Sequence, residues 1–141
     1  MSIKTKGFGE LARKLEGLSK TGARRANRKA MRAGTRVLLK AVKAQTPVDT
    51  GALRRAQTSK LIGRGLNLGG IVGADADKLA ADEKRPSNID WLVEEGHISP
   101  DGTFIPPSGY MRRAAAGAMP QAETVYRQTL AAEIEREASR A

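Results

Sequence analysis

His97 and Asp101 lie four residues apart, the spacing that invites a metal site or a catalytic pair, and His97 is the only histidine in the chain. Zinc needs three or four ligands, and a serine triad needs a histidine fixed by its neighbours. His97 sits instead in the glycine- and proline-rich run HISPDGTFIPPSG, residues 97 to 109. Glu94 and Glu95 are adjacent, which in a strand sends them to opposite faces and prevents a shared carboxylate pair. Gly63, Gly65, Gly69 and Gly70 match neither the dinucleotide nor the P-loop spacing, and no Gly-Lys-Ser/Thr follows them. The chain has no cysteine, so thiolate catalysis, thiolate metal sites and disulfides are all excluded. The expectation is a non-enzyme with no metal and no cofactor; an enzyme with a metal site at His97 is the weakest alternative.

Contact chemistry is better represented. Arg24, Arg25, Arg28, Lys29, Arg32, Arg36, Lys40 and Lys43 form a nearly continuous basic surface if residues 23 to 44 are helical. The net charge of +10 is unevenly spread: residues 1 to 65 hold 17 Lys or Arg against 3 acids, and residues 66 to 141 hold 8 against 12. Such an asymmetry suits either a basic half that meets nucleic acid or complementary surfaces on neighbouring subunits. The basic segment lacks interleaved aromatics and any reading-head motif, so nucleic-acid binding through it would be sequence-independent, through phosphates. For association between copies of the chain, Arg28, Arg32 and Arg36 on one helical face are candidate partners for Glu133 and Glu137 of a neighbour.

The elements that must carry these residues can be read from spacing. Phe8, Leu11, Leu15 and Leu18 recur at three and four, a short amphipathic helix. After a weak break at Lys20 to Gly22, a seam of Ala23, Ala26, Ala30, Ala33, Val37, Ala41 and Ala44 predicts a long helix open to close packing. It stops near Gln45, because Thr46 precedes Pro47 and the residue before proline is pushed out of the helical region. The segment TPVDTGALRRA, residues 46 to 56, reads as a rigid corner, with Thr46, Pro47, Asp49, Thr50 and Gly51 as its turn residues and Asp49 as the expected cap. Residues 56 to 62 and 66 to 73 predict a β-hairpin across Gly63, Arg64 and Gly65. Residues 74 to 90 predict an exposed loop with at most one helical turn, and Trp91, Leu92 and Val93 predict a third strand. Residues 97 to 109 predict a long ordered loop. From Tyr110 the chain is helical again, with Pro120 either starting or kinking the helix and residues 135 to 141 fraying. The fold class expected is α+β: a long N-terminal helical region and a C-terminal helix packed on a small antiparallel sheet, all as one domain over residues 1 to 141.

Aromatic residues make up only 4% of the chain, so the core must be lean and association would supply burial that it cannot. No stretch is long and apolar enough to span a bilayer, and MSIKTKGFGE has no signal-peptide core, so a protein made and kept inside a cell, without membrane contact, is expected.

The order of features resembles the neck or tail-completion proteins of long-tailed bacteriophages, a group that includes minor tail protein Z-like and head-tail joining proteins. The corner TPVDTGALR, Thr46 to Arg54, carries the likeness most sharply. WLVEEG, Trp91 to Gly96, is similar to the family's aromatic-containing strand ending in Glu-x-Gly. GYMRRA, Gly109 to Ala114, sits where members carry a Pro-Phe-Leu-Arg-Pro-Ala-like stretch, with Gly109, Tyr110 and Arg113 replacing the usual Pro, Phe and Pro. The resemblance implies a structural virion protein of the head-tail interface or tail terminus, made in the host cytoplasm. It implies a six-fold or twelve-fold homo-oligomeric ring meeting connector, tail terminator or tail-tube proteins, with non-specific contact to passing DNA. Arg54, Trp91, Glu94, Tyr110 and Arg112 join the arginines and glutamates above as expected interface residues. A sequence-independent architectural nucleic-acid-binding protein is the alternative.

Overall fold

The computed structural model describes residues 20–81 and 89–140. The helix expected over Phe8 to Leu18 lies outside them.

A long helix, α1 (Lys20–Gln45), opens the described chain and a longer one, α5 (Tyr110–Ala138), closes it. The two run antiparallel against each other: Arg25 meets Glu137 and Gly34 meets Ala122. Between them come α2 (Ala52–Ala56), β1 (Gln57–Arg64), β2 (Asn67–Ala74), α3 (Ala76–Ala80), α4 (Ile89–Glu95), β3 (His97–Ile98) and β4 (Phe104–Ile105). The arrangement is α+β, as expected.

Close helix packing follows from the small residues of α1. Ala23, Ala26 and Ala30 are buried, and with Leu130, Ile134 and Tyr126 of α5 they form one apolar cluster. Leu130 and Ile134 are essentially covered; burying each contributes about 1.5–3 kcal/mol. One turn further, a Cβ on Gly34 would lie 3.0 Å from the Ala122 carbonyl oxygen, so the helices cross where α1 has no side chain. The buried stripe also contains Asn27 and Thr35, whereas Ala44 is exposed and Ala33 only half-buried.

A second cluster, built from Val42, Leu53, Ala56, Leu79, Tyr110 and Ala114, fills the other end, with Ile89, Val93 and Met111 packed on it. Tyr110 is fully covered and its hydroxyl accepts from Gln57 Nε2 at 3.0 Å. Burial pushes that phenol up to about 12, the Gln57 hydrogen bond opposing the shift.

The hairpin strands pair antiparallel from Gln57 opposite Ala74 to Arg64 opposite Asn67, so the turn is Gly65–Leu66, slightly beyond the expected one. One face lies on α1. Asn27 Nδ2 donates to the Leu66 carbonyl at 3.1 Å near the tip, and a Cβ on Gly70 would stand 2.1 Å from Thr35 Oγ1, so only glycine lets the strand reach the helix. The other face carries Thr58, Lys60, Ile62 and Ile71 to solvent.

Three expectations are corrected. The Trp91–Val93 segment is helical, not a strand: Ile89 and Val93, four apart, both turn to the core, while Trp91 is 59% exposed. The 97–109 segment contains a small hairpin, His97 opposite Ile105 and Ile98 opposite Phe104. At the end of the chain α5 runs unbroken through Pro120 to Ala138, with Glu137 buried, so residues 135–138 are held rather than frayed. Within the expected 74–90 loop, α3 supplies a helical turn capped by Asp75, whose carboxylate accepts from the Asp77 and Lys78 amides, and Leu79 is buried.

Candidate interaction surfaces

The corner after α1 is fastened mainly by backbone carbonyls. Thr46 Oγ1 donates to the Val42 carbonyl at 2.6 Å, so the residue forced out of the helix by Pro47 still satisfies the helix end. Arg54 Nε donates to the Lys43 carbonyl at 2.8 Å, and Arg55 Nη1 to the Thr50 carbonyl at 3.3 Å. The N-cap of α2 is Gly51, at φ 79°, with no side-chain cap; the Ala52 amide donates to Thr50 Oγ1 at 3.4 Å. The N-cap position of that helix is thus Gly51 rather than Asp49. Pro47 to Leu53 together with Ile89 and Val93 line a hollow of about 150 Å³, which brings the corner and the WLVEEG segment face to face.

Glu94, Tyr110 and Arg112, expected on an interface, make contacts within the subunit. Glu94 is 8% exposed, and its carboxylate accepts from the Met111 amide at 2.9 Å and the Arg112 amide at 3.2 Å. A carboxylate there satisfies two of the amides a helix start leaves open, and it meets the positive end of the helix dipole. Arg112 Nε reaches the same carboxylate at 3.3 Å, and its Nη2 reaches Glu95 at 3.2 Å. The Ser108 and Gly109 amides donate to the Val93 and Glu94 carbonyls, so α4 and the start of α5 are stitched through backbone and side chain together.

The acidic residues expected to meet a neighbour's arginines are likewise used within the chain. Glu137 Oε2 pairs with Arg25 at 2.8 Å and Glu133 Oε2 with Lys29 at 2.9 Å; Arg140 and Arg136 cover their second oxygens. Both glutamates are less than a tenth exposed. The Arg25 hydrogen bond, aided by the charges of Arg25, Arg140 and Lys29, holds the Glu137 carboxyl below its ordinary value near 4.5. Two cations one turn apart on α1 thus register against two anions one turn apart on α5.

Arg28, Arg32 and Arg36 project to the other side of α1 and are exposed. They line a cleft of about 460 Å³ with Thr35, Ser59, Lys60 and Leu61 of the hairpin side. Exposed apolar side chains gather elsewhere: Ile62 and Ile71 on the outer hairpin face, each half exposed, Ile98 and Phe104 on the small hairpin, at 72% and 66%, and Trp91.

His97 Nδ1 lies 3.3 Å from the Leu92 carbonyl, and Asp101 is occupied by Ser99 and the Thr103 amide. Among the described residues no group of three or more His, Asp or Glu is placed to hold a metal. No helix among them is long and apolar enough to cross a membrane.

Neither a curated protein nor a solved structure was found to match the chain. Residues 9–83, just over half of it, match the family described as "Bacteriophage HK97-gp10, putative tail-component". That span holds α1, the corner, the β1–β2 hairpin and α3, and the corner is where the likeness to phage tail proteins is sharpest. The chain belongs to the HK97-gp10-like family of bacteriophage tail components.

Proposed function

We propose that the protein is a structural subunit of the phage head-tail interface or tail terminus, and that it closes into a homo-oligomeric ring that joins or completes the tail. The observation that carries this reading is the pair of separate apolar patches, Ile62 with Ile71 and Ile98 with Phe104, on a subunit of a tail-component family. Isolated soluble subunits rarely leave such side chains uncovered in groups. Two different patches on one subunit suit head-to-tail contacts, which close into a ring when the rotation permits. Because Glu133 and Glu137 are committed inside the subunit, apolar burial rather than ion pairing is the driving contact.

Light scattering on the purified chain, with negative-stain images, reads copy number and shape; a discrete ring is expected, six-fold or twelve-fold. Ile62→Asp with Ile71→Asp, and separately Ile98→Asp with Phe104→Asp, should each give folded monomers. An equimolar mixture of the two variants should give dimers, because each retains the patch the other lacks. Full-size rings from either variant, or a wild-type chain that stays monomeric at high concentration, would refute the proposal.

A further inference from the structure

Six cations of α1 divide into two classes that only the fold distinguishes. Arg25 and Lys29 face α5 and are neutralised by Glu137 and Glu133. Arg24, Arg28, Arg32 and Arg36, each one turn beyond the last, face the hairpin side, and no hydrogen bond or ion pair joins them to another described residue. Arg24 lies against the hairpin turn beside Gly65, and Arg28, Arg32 and Arg36 border the cleft, at whose edge Lys60 of β1 also lies. Twelve residues of helix make this row about 18 Å long. No acidic residue among those described lines the cleft, and two hydroxyl residues, Thr35 and Ser59, do.

We infer that this row, with Lys60, is a contact site for the sugar-phosphate backbone of duplex DNA. Unpaired guanidinium groups bind phosphate in preference to most other surface groups, because their planar fork offers paired donors to its oxygens. A row about 18 Å long spans the axial rise of about five phosphates of one strand. Among the described residues the walls contain no aromatic side chain to stack on bases, as single strands require, and no base-reading element. The contact is therefore to backbone, indifferent to sequence and strongly dependent on salt. It needs no ring, since one subunit carries the whole row, so failure of assembly and failure of DNA binding are separate outcomes.

The test is fluorescence anisotropy with a mixed-sequence duplex, using the full chain between about 50 and 200 mM salt. If the five cations neutralise about five phosphates per subunit, affinity falls about 500-fold across that range. With Arg28→Gln, Arg32→Gln and Arg36→Gln combined, the contacts of Arg24 and Lys60 remain and the fall shrinks to about 12-fold. Arg25→Gln with Lys29→Gln removes as much charge per site from the same helix, yet should lower thermal stability while keeping the wild-type salt dependence. The inference is overturned by absence of duplex binding at the lower salt, by a triple variant with the wild-type salt response, or by a control pair that loses as much as the triple. Polyglutamate competing as well as duplex, or a single strand binding more tightly, would also overturn it. Should the triple variant fail to fold by circular dichroism, Arg32→Gln alone decides: its salt-induced fall should be about 3.5-fold smaller than that of the wild type.

Discussion

Removing the Glu94 carboxylate tests whether WLVEEG is a docking motif or a joint inside the subunit. In Glu94→Ala the Met111 and Arg112 amides lose their acceptor and the start of α5 loses its counter-charge. Loss of a helix cap costs about 0.5–2 kcal/mol. An anion at a helix N-terminus contributes about 0.3–1 kcal/mol at exposed sites and up to about 2 when partly buried. These overlap, since the same oxygens serve both. The Arg112 pair adds little, because that arginine is 66% exposed and exposed pairs are worth about 0–1 kcal/mol. A total of about 1–3 kcal/mol follows, which for a chain of this size lowers Tm by about 3–15 °C. Glu94→Gln keeps one acceptor oxygen and should lose about half as much. Glu95→Ala is the internal control: its carboxylate touches only the outer edge of Arg112, so its Tm should shift by less than about 2 °C. Thermal unfolding followed by circular dichroism at pH 7 reads all three. If Glu94→Ala melts with the wild type while ring assembly fails, Glu94 is a contact residue and the internal-joint account is wrong.

Two further outcomes are expected. Gly70→Ala should destabilise the protein by about 1–3 kcal/mol, because its Cβ would meet Thr35 Oγ1, itself held by the Met31 carbonyl; adding Thr35→Ala should recover part of the loss in a denaturant double-mutant cycle, and independent effects would refute the contact. Glu137 has a folded-state pKa below its ordinary value, so its contribution is present above about pH 4.5 and lost as the pH falls below that; a Tm-against-pH profile should drop less steeply at acid pH in Glu137→Gln, and identical profiles would refute the Arg25 clamp.

Local chemistry made some of this architecture legible. Pro47 stops α1 where the sequence says it must, and the alternating apolar residues flanking Gly63 to Gly65 mark a hairpin whose turn is shifted by about one residue. What escaped depends on partners far away in sequence. Trp91, Leu92 and Val93 have strand-like side chains, but Ile89 and Val93, four apart, both pack on the Val42–Leu53–Tyr110 cluster, which a helix allows. Asn27, Gly34 and Thr35 were not counted in the α1 seam because apolar periodicity ignores a buried amide, a missing side chain and a buried hydroxyl. Glu133 and Glu137 read as surface acids, and nothing near them in sequence announces that Lys29 and Arg25 wait on the opposite helix. The division of the arginines into neutralised and unpaired is invisible for the same reason.

The antiparallel pairing of α1 with α5 also bears on when a subunit can exist during its synthesis. Arg25 and Glu137 are 112 residues apart, so the stripe of α1 cannot be covered until the closing helix has been made. At ribosomal speeds of about 5–20 residues per second, the stretch from Gln45 to Ile134 takes about 5–20 s to add. Throughout that interval the seam of Ala23, Ala26 and Ala30 and the cations Arg25 and Lys29 stand without their counterparts. Pairing of such distant segments is also slow, since a large loop must close before any contact rewards it. A nascent chain therefore carries an incomplete wall along α1 until α5 has been made.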